Sequence, residues 1–144
     1  MNNQLHNGLN QQVANLAIFF TKLHHFHWFI EGKSFFQLHE KFEELYDEVN
    51  ELYDEYAERL IIIGGKPASS LSAYLKLTTL KESSTLDPKL MVDEVVSDLS
   101  QLVAELKALT TISQDLGDEQ SADMFIGTVA AFEKHIWMYK AFNK

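Results

Sequence analysis

Five residues of this chain have types and spacings suited to holding a metal ion: His27, His39, Glu43, Asp54 and Glu58. The stretch from Ser34 to Ile63 reads as one long helix. Because an α-helix rises about 1.5 Å and turns about 100° per residue, His39 and Glu43 are neighbours one turn apart, as are Asp54 and Glu58. All four fall within roughly a third of the circumference, so both pairs look out from one face. The pairs lie about fifteen residues, roughly 22 Å, apart along the axis, far beyond metal–ligand reach, and one chain cannot close one site from all of them. A second copy can. An antiparallel two-fold partner sets Asp54 and Glu58 of one subunit opposite His39 and Glu43 of the other, and the symmetry makes two equivalent sites.

Each pair alone is also the ordinary make-up of a solvated helix face. The rest of the helix changes the weighing. Phe42, Leu45, Tyr46, Val49, Leu52, Tyr53, Tyr56 and Leu60 cover roughly another third of it and leave the His and carboxylates on a separate arc. That arc also carries Glu40, Glu44, Asp47, Glu51 and Glu55. Carboxylates this dense repel one another at neutral pH; bound cations relieve the repulsion, and solvent relieves it less strongly. His24, His25 and His27 cluster near the end of the preceding helix. His24 and His25 read as packed histidines, whereas a neutral imidazole at His27 can complete a site.

The chain has 144 residues and 46% hydrophobic content, enough for one ordinary domain spanning residues 1–144 with a substantial core. Twelve Lys and Arg against 21 Asp and Glu give a net charge of −9, which repels phosphate backbones and anionic lipid and suits a protein that gathers cations. There is no cysteine, so ligands must be His, Asp or Glu, which suit iron, manganese or zinc. The apolar run from Val13 to Phe20 is too short to span a bilayer and lacks a cationic leader and a small-residue cleavage site. A soluble protein of the cytoplasm is expected.

Apolar residues recur at helical spacing nearly everywhere, and no alternating run of Val, Ile and Thr argues for a strand, so the fold class is all-α. A first helix is predicted from about Leu9 to Glu31, with Val13, Leu16, Ala17, Phe20, Leu23 and His27 on one face and Gly32 as its stop. Ser34 and Gln37 form a capping-box pattern for the second helix, which Gly64, Gly65 and Pro67 end. Between Ala68 and Leu86 the chain is rich in Ser and Thr, yet Leu71, Tyr74, Leu75 and Leu77 suit a short helix along a long crossover. Asp87 and Pro88 open the third long helix, which has Leu90, Val95, Leu99, Leu102, Val103, Leu106 and Leu109 on its apolar face and breaks at Gly117. The fourth runs from about Asp118 to Phe142, with Met124, Phe125, Val129, Phe132, Ile136, Tyr139 and Phe142 toward the core.

The set His27-Trp28, Gly32, Phe36, His39, Glu43, Asp54 and Ala57-Glu58-Arg59 resembles the Dps family, the miniature ferritins of bacteria. Leu38-His39-Glu40-Lys41-Phe42, Gly64-Gly65-Lys66-Pro67 and Lys134-His135-Ile136-Trp137-Met138 look like the Gram-positive members, so the resemblance covers nearly the whole chain. It implies a ferritin-like four-helix bundle with a short helix in the crossover between helices two and three. It further implies a hollow homo-oligomer of twelve subunits in which ferrous iron binds between subunits. There the iron is oxidised, by hydrogen peroxide in preference to dioxygen, and stored as ferric oxyhydroxide. By the resemblance, His27, His39 and Glu43 come from one subunit, and Asp54 and Glu58 from its two-fold mate.

The family usually has Asp at the position of Glu43; the added methylene is expected to shift iron placement or to favour another divalent ion such as zinc. Trp28, beside a ligand, has a family counterpart that intercepts stray oxidising equivalents, with core or interface filling as the plain alternative. Glu119 and Asp123 fall where the family lines a three-fold pore, and acidic groups there draw cations inward; helix capping is the other role open to such residues, with Asp118 the stronger cap. The rival reading is the family's coating of DNA in stressed cells. Members that do so often carry a Lys-rich tail; Met1 to Gly8 holds no Lys or Arg and the chain ends in Asn143-Lys144, so no appreciable DNA binding is expected. A helical interaction protein with a merely solvated acidic face is the remaining reading, and ferrous titration separates it from the first.

Overall fold

The computed structural model describes residues 3–144 and, among them, five α-helices and no strand. They are α1 (Asn3–Phe29), α2 (Phe35–Ile62), α3 (Leu71–Leu77), α4 (Pro88–Asp115) and α5 (Glu119–Phe142). Residues 6–91 form one compact unit, and residues 92–144 with residues 3–5 form another.

α1 begins at Asn3, well before the Leu9 expected from periodicity. Polar residues dominate that first stretch, but His6 Nε2 bonds the Ile63 carbonyl at 3.0 Å and holds these turns against the end of α2. Every third or fourth position of α1 is buried, including Leu9, Val13, Leu16, Phe19, Leu23 and Phe26, and α2 buries Leu38, Phe42, Leu45, Val49, Tyr56 and Leu60. The rings of Phe26 and Phe42 meet at 5.6 Å, which packs the end of α1 on the start of α2.

The corner between them turns on Gly32, whose φ of +101° strains any residue with a Cβ. Phe35 N–H then bonds the Gly32 carbonyl at 3.1 Å. That turn leaves Ser34 at ψ 15°, with no side-chain cap bond. The expected capping box of Ser34 and Gln37 is therefore not made, because a capping hydroxyl needs the extended backbone that this turn removes.

The crossover is tied down by buried polar groups. Asn15, fully buried, accepts from Thr79 N–H at 2.8 Å and from the Thr78 hydroxyl at 2.6 Å, and donates to the Thr79 hydroxyl at 3.0 Å. The Ala68 N–H donates to Asn10 Oδ1, and His25 Nε2 bonds the Thr85 carbonyl. The short α3 has Ser70 as its cap, accepting from Ala73 N–H, and Tyr74 shares a 2.5 Å hydroxyl bond with Tyr53 of α2.

α4 starts as expected, with Asp87 Oδ1 accepting from Lys89 N–H at 2.9 Å. Its residues Leu99, Leu102 and Leu106 are buried, but Leu90, expected on the apolar face, is 48% exposed while Met91 and Val92 take the interior. In the second unit α4 ends on Gly117, at φ +76°, where Asp118 N–H reaches back to the Ser113 carbonyl. Asp118 caps α5, accepting from both the N–H and the hydroxyl of Ser121. Phe125, Val129, Phe132 and Tyr139 are buried as expected, whereas Phe142, in the final turn, stays exposed. No helix among the described residues is long and apolar enough to cross a membrane.

Candidate metal centre

The last turn of α1 and the first three turns of α2 bring together His27, His39 and Glu43. His27 Nδ1 bonds the His39 carbonyl oxygen at 2.7 Å, and His39 Nδ1 bonds the His27 carbonyl oxygen at 2.8 Å. A carbonyl can only accept, so each Nδ1 carries the proton. With Nδ1 committed in this way, Nε2 is the ring nitrogen left to each histidine for a metal. The two imidazoles stack at 3.7 Å with 13° between their planes, and the Phe35 ring lies on the other side of His39 at 4.9 Å. Neither histidine can rotate without losing a bond and a stacking partner.

Glu43 Oε1 lies 3.7 Å from His27 Nε2. One potential ligand atom from each of His27, His39 and Glu43 lies within 4.8 Å of the others, and theirs is the one such group of three among the described residues. His27 is buried, His39 partly so, and the Glu43 carboxylate is open to solvent, so the trio sits at the floor of an accessible surface. Asp54 and Glu58 are exposed farther along α2, outside this group. That is where helix geometry puts them relative to His39 and Glu43 of the same chain.

His24 and His25 have other work. His24 Nδ1 bonds the Phe20 carbonyl and its ring stacks on Tyr46 at 3.8 Å, while His25 ties the crossover. Trp28 is 67% exposed, with its ring 5.2 Å from His24. Tyr46 presents its edge to His27 at 5.2 Å. Burial, then the carboxylates of Glu43 and Asp47, raise its phenol above the ordinary value and keep it protonated. Sequence reading placed Tyr46 in the apolar set and passed over Phe35. The four-residue step from Phe35 to His39 was the available signal. Glu119 and Asp123 are exposed on the first turns of α5, and Asp118 makes the cap there.

A sequence model of the ferritin-like domain matches residues 6–144. The DNA protection during starvation protein 2 of Bacillus anthracis is 43% identical over 143 residues, 99% of this chain and 98% of that protein. Dps from Staphylococcus aureus superposes with a TM-score of 0.96 at 41% identity, covering 99% of this chain and 97% of that one. Dps from Bacillus brevis does so with a TM-score of 0.95 at 42% identity, over the whole of both chains.

Proposed function

We propose, for a chain that belongs to the Dps family of ferritin-like proteins and has its all-α four-helix fold with a short helix in the crossover, that paired subunits oxidise ferrous iron and store it. Ferrous iron is the substrate. His27, His39 and Glu43 of one subunit and Asp54 and Glu58 of its two-fold mate hold it, and twelve subunits enclose the ferric product in the cytoplasm. The observation that carries this reading is the pair of crossed His27 and His39 bonds to each other's backbone carbonyls, which commits both Nδ1 atoms and leaves two Nε2 atoms beside a carboxylate.

Hydrogen peroxide is the preferred oxidant over dioxygen. Two Fe(II) each give up one electron, the O–O bond breaks, and with two water molecules the products are two FeO(OH) and four protons. Paired one-electron donors deliver both electrons to one peroxide, so hydroxyl radical is not released. Carboxylate ligands favour Fe(III) over Fe(II), which drives the oxidation. Trp28, exposed beside His27, intercepts oxidising equivalents that escape, and in Trp28→Phe the yield of spin-trapped hydroxyl radical should rise; an unchanged yield removes this role. Glu119 and Asp123 lend negative charge to an entry path for cations.

Exposed apolar residues support assembly from identical subunits. Trp28, Ile61, Ile62, Leu71, Leu75 and Trp137 each have more than half of their surface open in the single chain. Co-assembly tests the shared site. Shells of His39→Ala subunits alone and of Asp54→Ala subunits alone should oxidise Fe(II) slowly, and mixed shells should regain part of the rate because some interfaces then hold an intact set. Mixed shells no faster than either parent refute ligand sharing. The name of the Bacillus anthracis relative favours a second reading, protection of DNA by direct coating. The net charge of −9 weighs against it.

A further inference from the structure

We propose that Tyr46 is the residue that first takes up an oxidising equivalent escaping from the metal centre, and that the ring of His24 carries it on to Trp28. The proposal rests on the ferrous oxidation put forward above and adds the route by which single electrons are brought back into pairs.

Trp28 follows His27 directly, yet successive residues of a helix point about 100° apart, and the indole lies against His24, one turn back, at 5.2 Å. His27 meets Tyr46 instead, at 5.2 Å with 89° between the planes. Tyr46 in turn stacks on His24 at 3.8 Å and 20°. The rings thus run from His27 through Tyr46 and His24 to Trp28. This ladder is held in place: His24 Nδ1 bonds the Phe20 carbonyl at 3.0 Å, and the Phe20 ring meets His24 at 4.5 Å and Tyr46 at 5.7 Å. Of the rings described against His27, those of His24, His39 and Tyr46, only the phenol yields an electron readily, because loss of its proton with the electron leaves a neutral, delocalised radical.

A centre that holds a single ferrous ion when peroxide arrives can supply one electron only. Fe(II) becomes Fe(III), the O–O bond breaks, and hydroxide and hydroxyl radical form. The radical draws an electron from Tyr46 through the contact with His27 and a proton from the phenol by way of water at this partly buried position, and leaves as water. The Tyr46 phenoxyl then recovers an electron from Trp28 through His24 and a proton from water, while the indole gives its N–H proton to solvent. A second Fe(II), meeting Trp28 at the surface, supplies the last electron; the indole takes back a proton and another Fe(III) results. Two Fe(II) have then reduced one peroxide to water and hydroxide, the same ratio as in a fully loaded centre.

Freeze-quenched paramagnetic resonance tests this on the assembled protein, given less than one Fe(II) per site and then hydrogen peroxide. The parent should show a phenoxyl signal that narrows when its tyrosines are ring-deuterated. Tyr46→Phe should lose that signal and at least double the spin-trapped hydroxyl radical, whereas Tyr53→Phe should keep it. Trp28→Phe and His24→Leu should each prolong the signal several-fold, and His24→Leu serves if Tyr46→Phe does not assemble, since it breaks the stack and spares the phenol. A phenoxyl signal undiminished in Tyr46→Phe overturns the proposal, as does an unchanged lifetime in both Trp28→Phe and His24→Leu. An iron-free arm separates the proposal from the reading beneath it: a ruthenium photosensitiser with persulfate oxidises the exposed Trp28, and phenoxyl should grow in as the indole radical decays in the parent and not in His24→Leu. That transfer without any peroxide-driven Fe(II) oxidation removes the ferroxidase reading alone. Fe(II) oxidation with no phenoxyl in either arm removes the relay alone.

Discussion

Tyr74 shows how one residue's surroundings set a pH limit on the fold. Burial, and next the hydrogen bond shared with Tyr53, push its phenol up to about 12 from an ordinary 10.0. A pKa raised on folding means that the protonated form is favoured in the native state. Its contribution is complete below pH 10 and is lost as pH climbs from there toward 12. Chemical denaturation across that window should show stability falling, and Tyr74→Phe should flatten the fall; an equally steep fall in the variant refutes the assignment. Among the metal-site residues, the step from His39 to Glu43 was readable because both lie on one helix, where spacing is geometry. The approach of His27 from α1 was not, since only the resemblance joined it to the others. Tyr46 escapes a sequence reading because its ring contacts with His24 and His27 arise from the packing of α1 on α2 and leave no period in the sequence, whereas Phe35, one turn before His39 on the same helix, was legible.

Helix ends are where elements are decided, and here some signals spoke and others misled. Asp87 and Asp118 cap as their positions predict, because each side chain meets free N–H groups in its own first turn. Ser34 carries an equally good pattern and fails, since the Gly32 turn dictates its backbone. The start of α1 was placed too late because its anchor, the His6 bond to Ile63, joins residues far apart in sequence. At the end of α2, Gly65 N–H bonds the Leu60 carbonyl at 2.8 Å, and a Cβ on Gly65 would run into the Leu60 side chain. Leu60 is buried and cannot easily retreat. Gly65→Ala is therefore expected to cost about 1–3 kcal/mol in urea unfolding. A midpoint unchanged from the parent means the turn yields at no cost.

At the scale of the whole molecule, the apolar residues left open on a single chain call for partners. Phe36 at 81% and Leu71 at 79% exposure are poor candidates for contact with water alone. Leu90 and Phe142 belong with them, which is why periodicity assigned both to an interior that the lone chain does not give them. Light scattering should find a particle of about 200 kDa, twelve times 16.5 kDa. A stable 16.5 kDa species refutes the shell. Linear duplex added at physiological salt should leave that particle unshifted, and a complex that dissolves as salt rises restores the coating role. The crossed pair of histidine-to-carbonyl bonds carries one last implication. Because each imidazole grips the opposite strand of the corner, cation loading must also stiffen the bend around Gly32, and the amides of Ile30 and Phe35 become a gauge of occupancy: deuterium uptake there should slow as the particle fills.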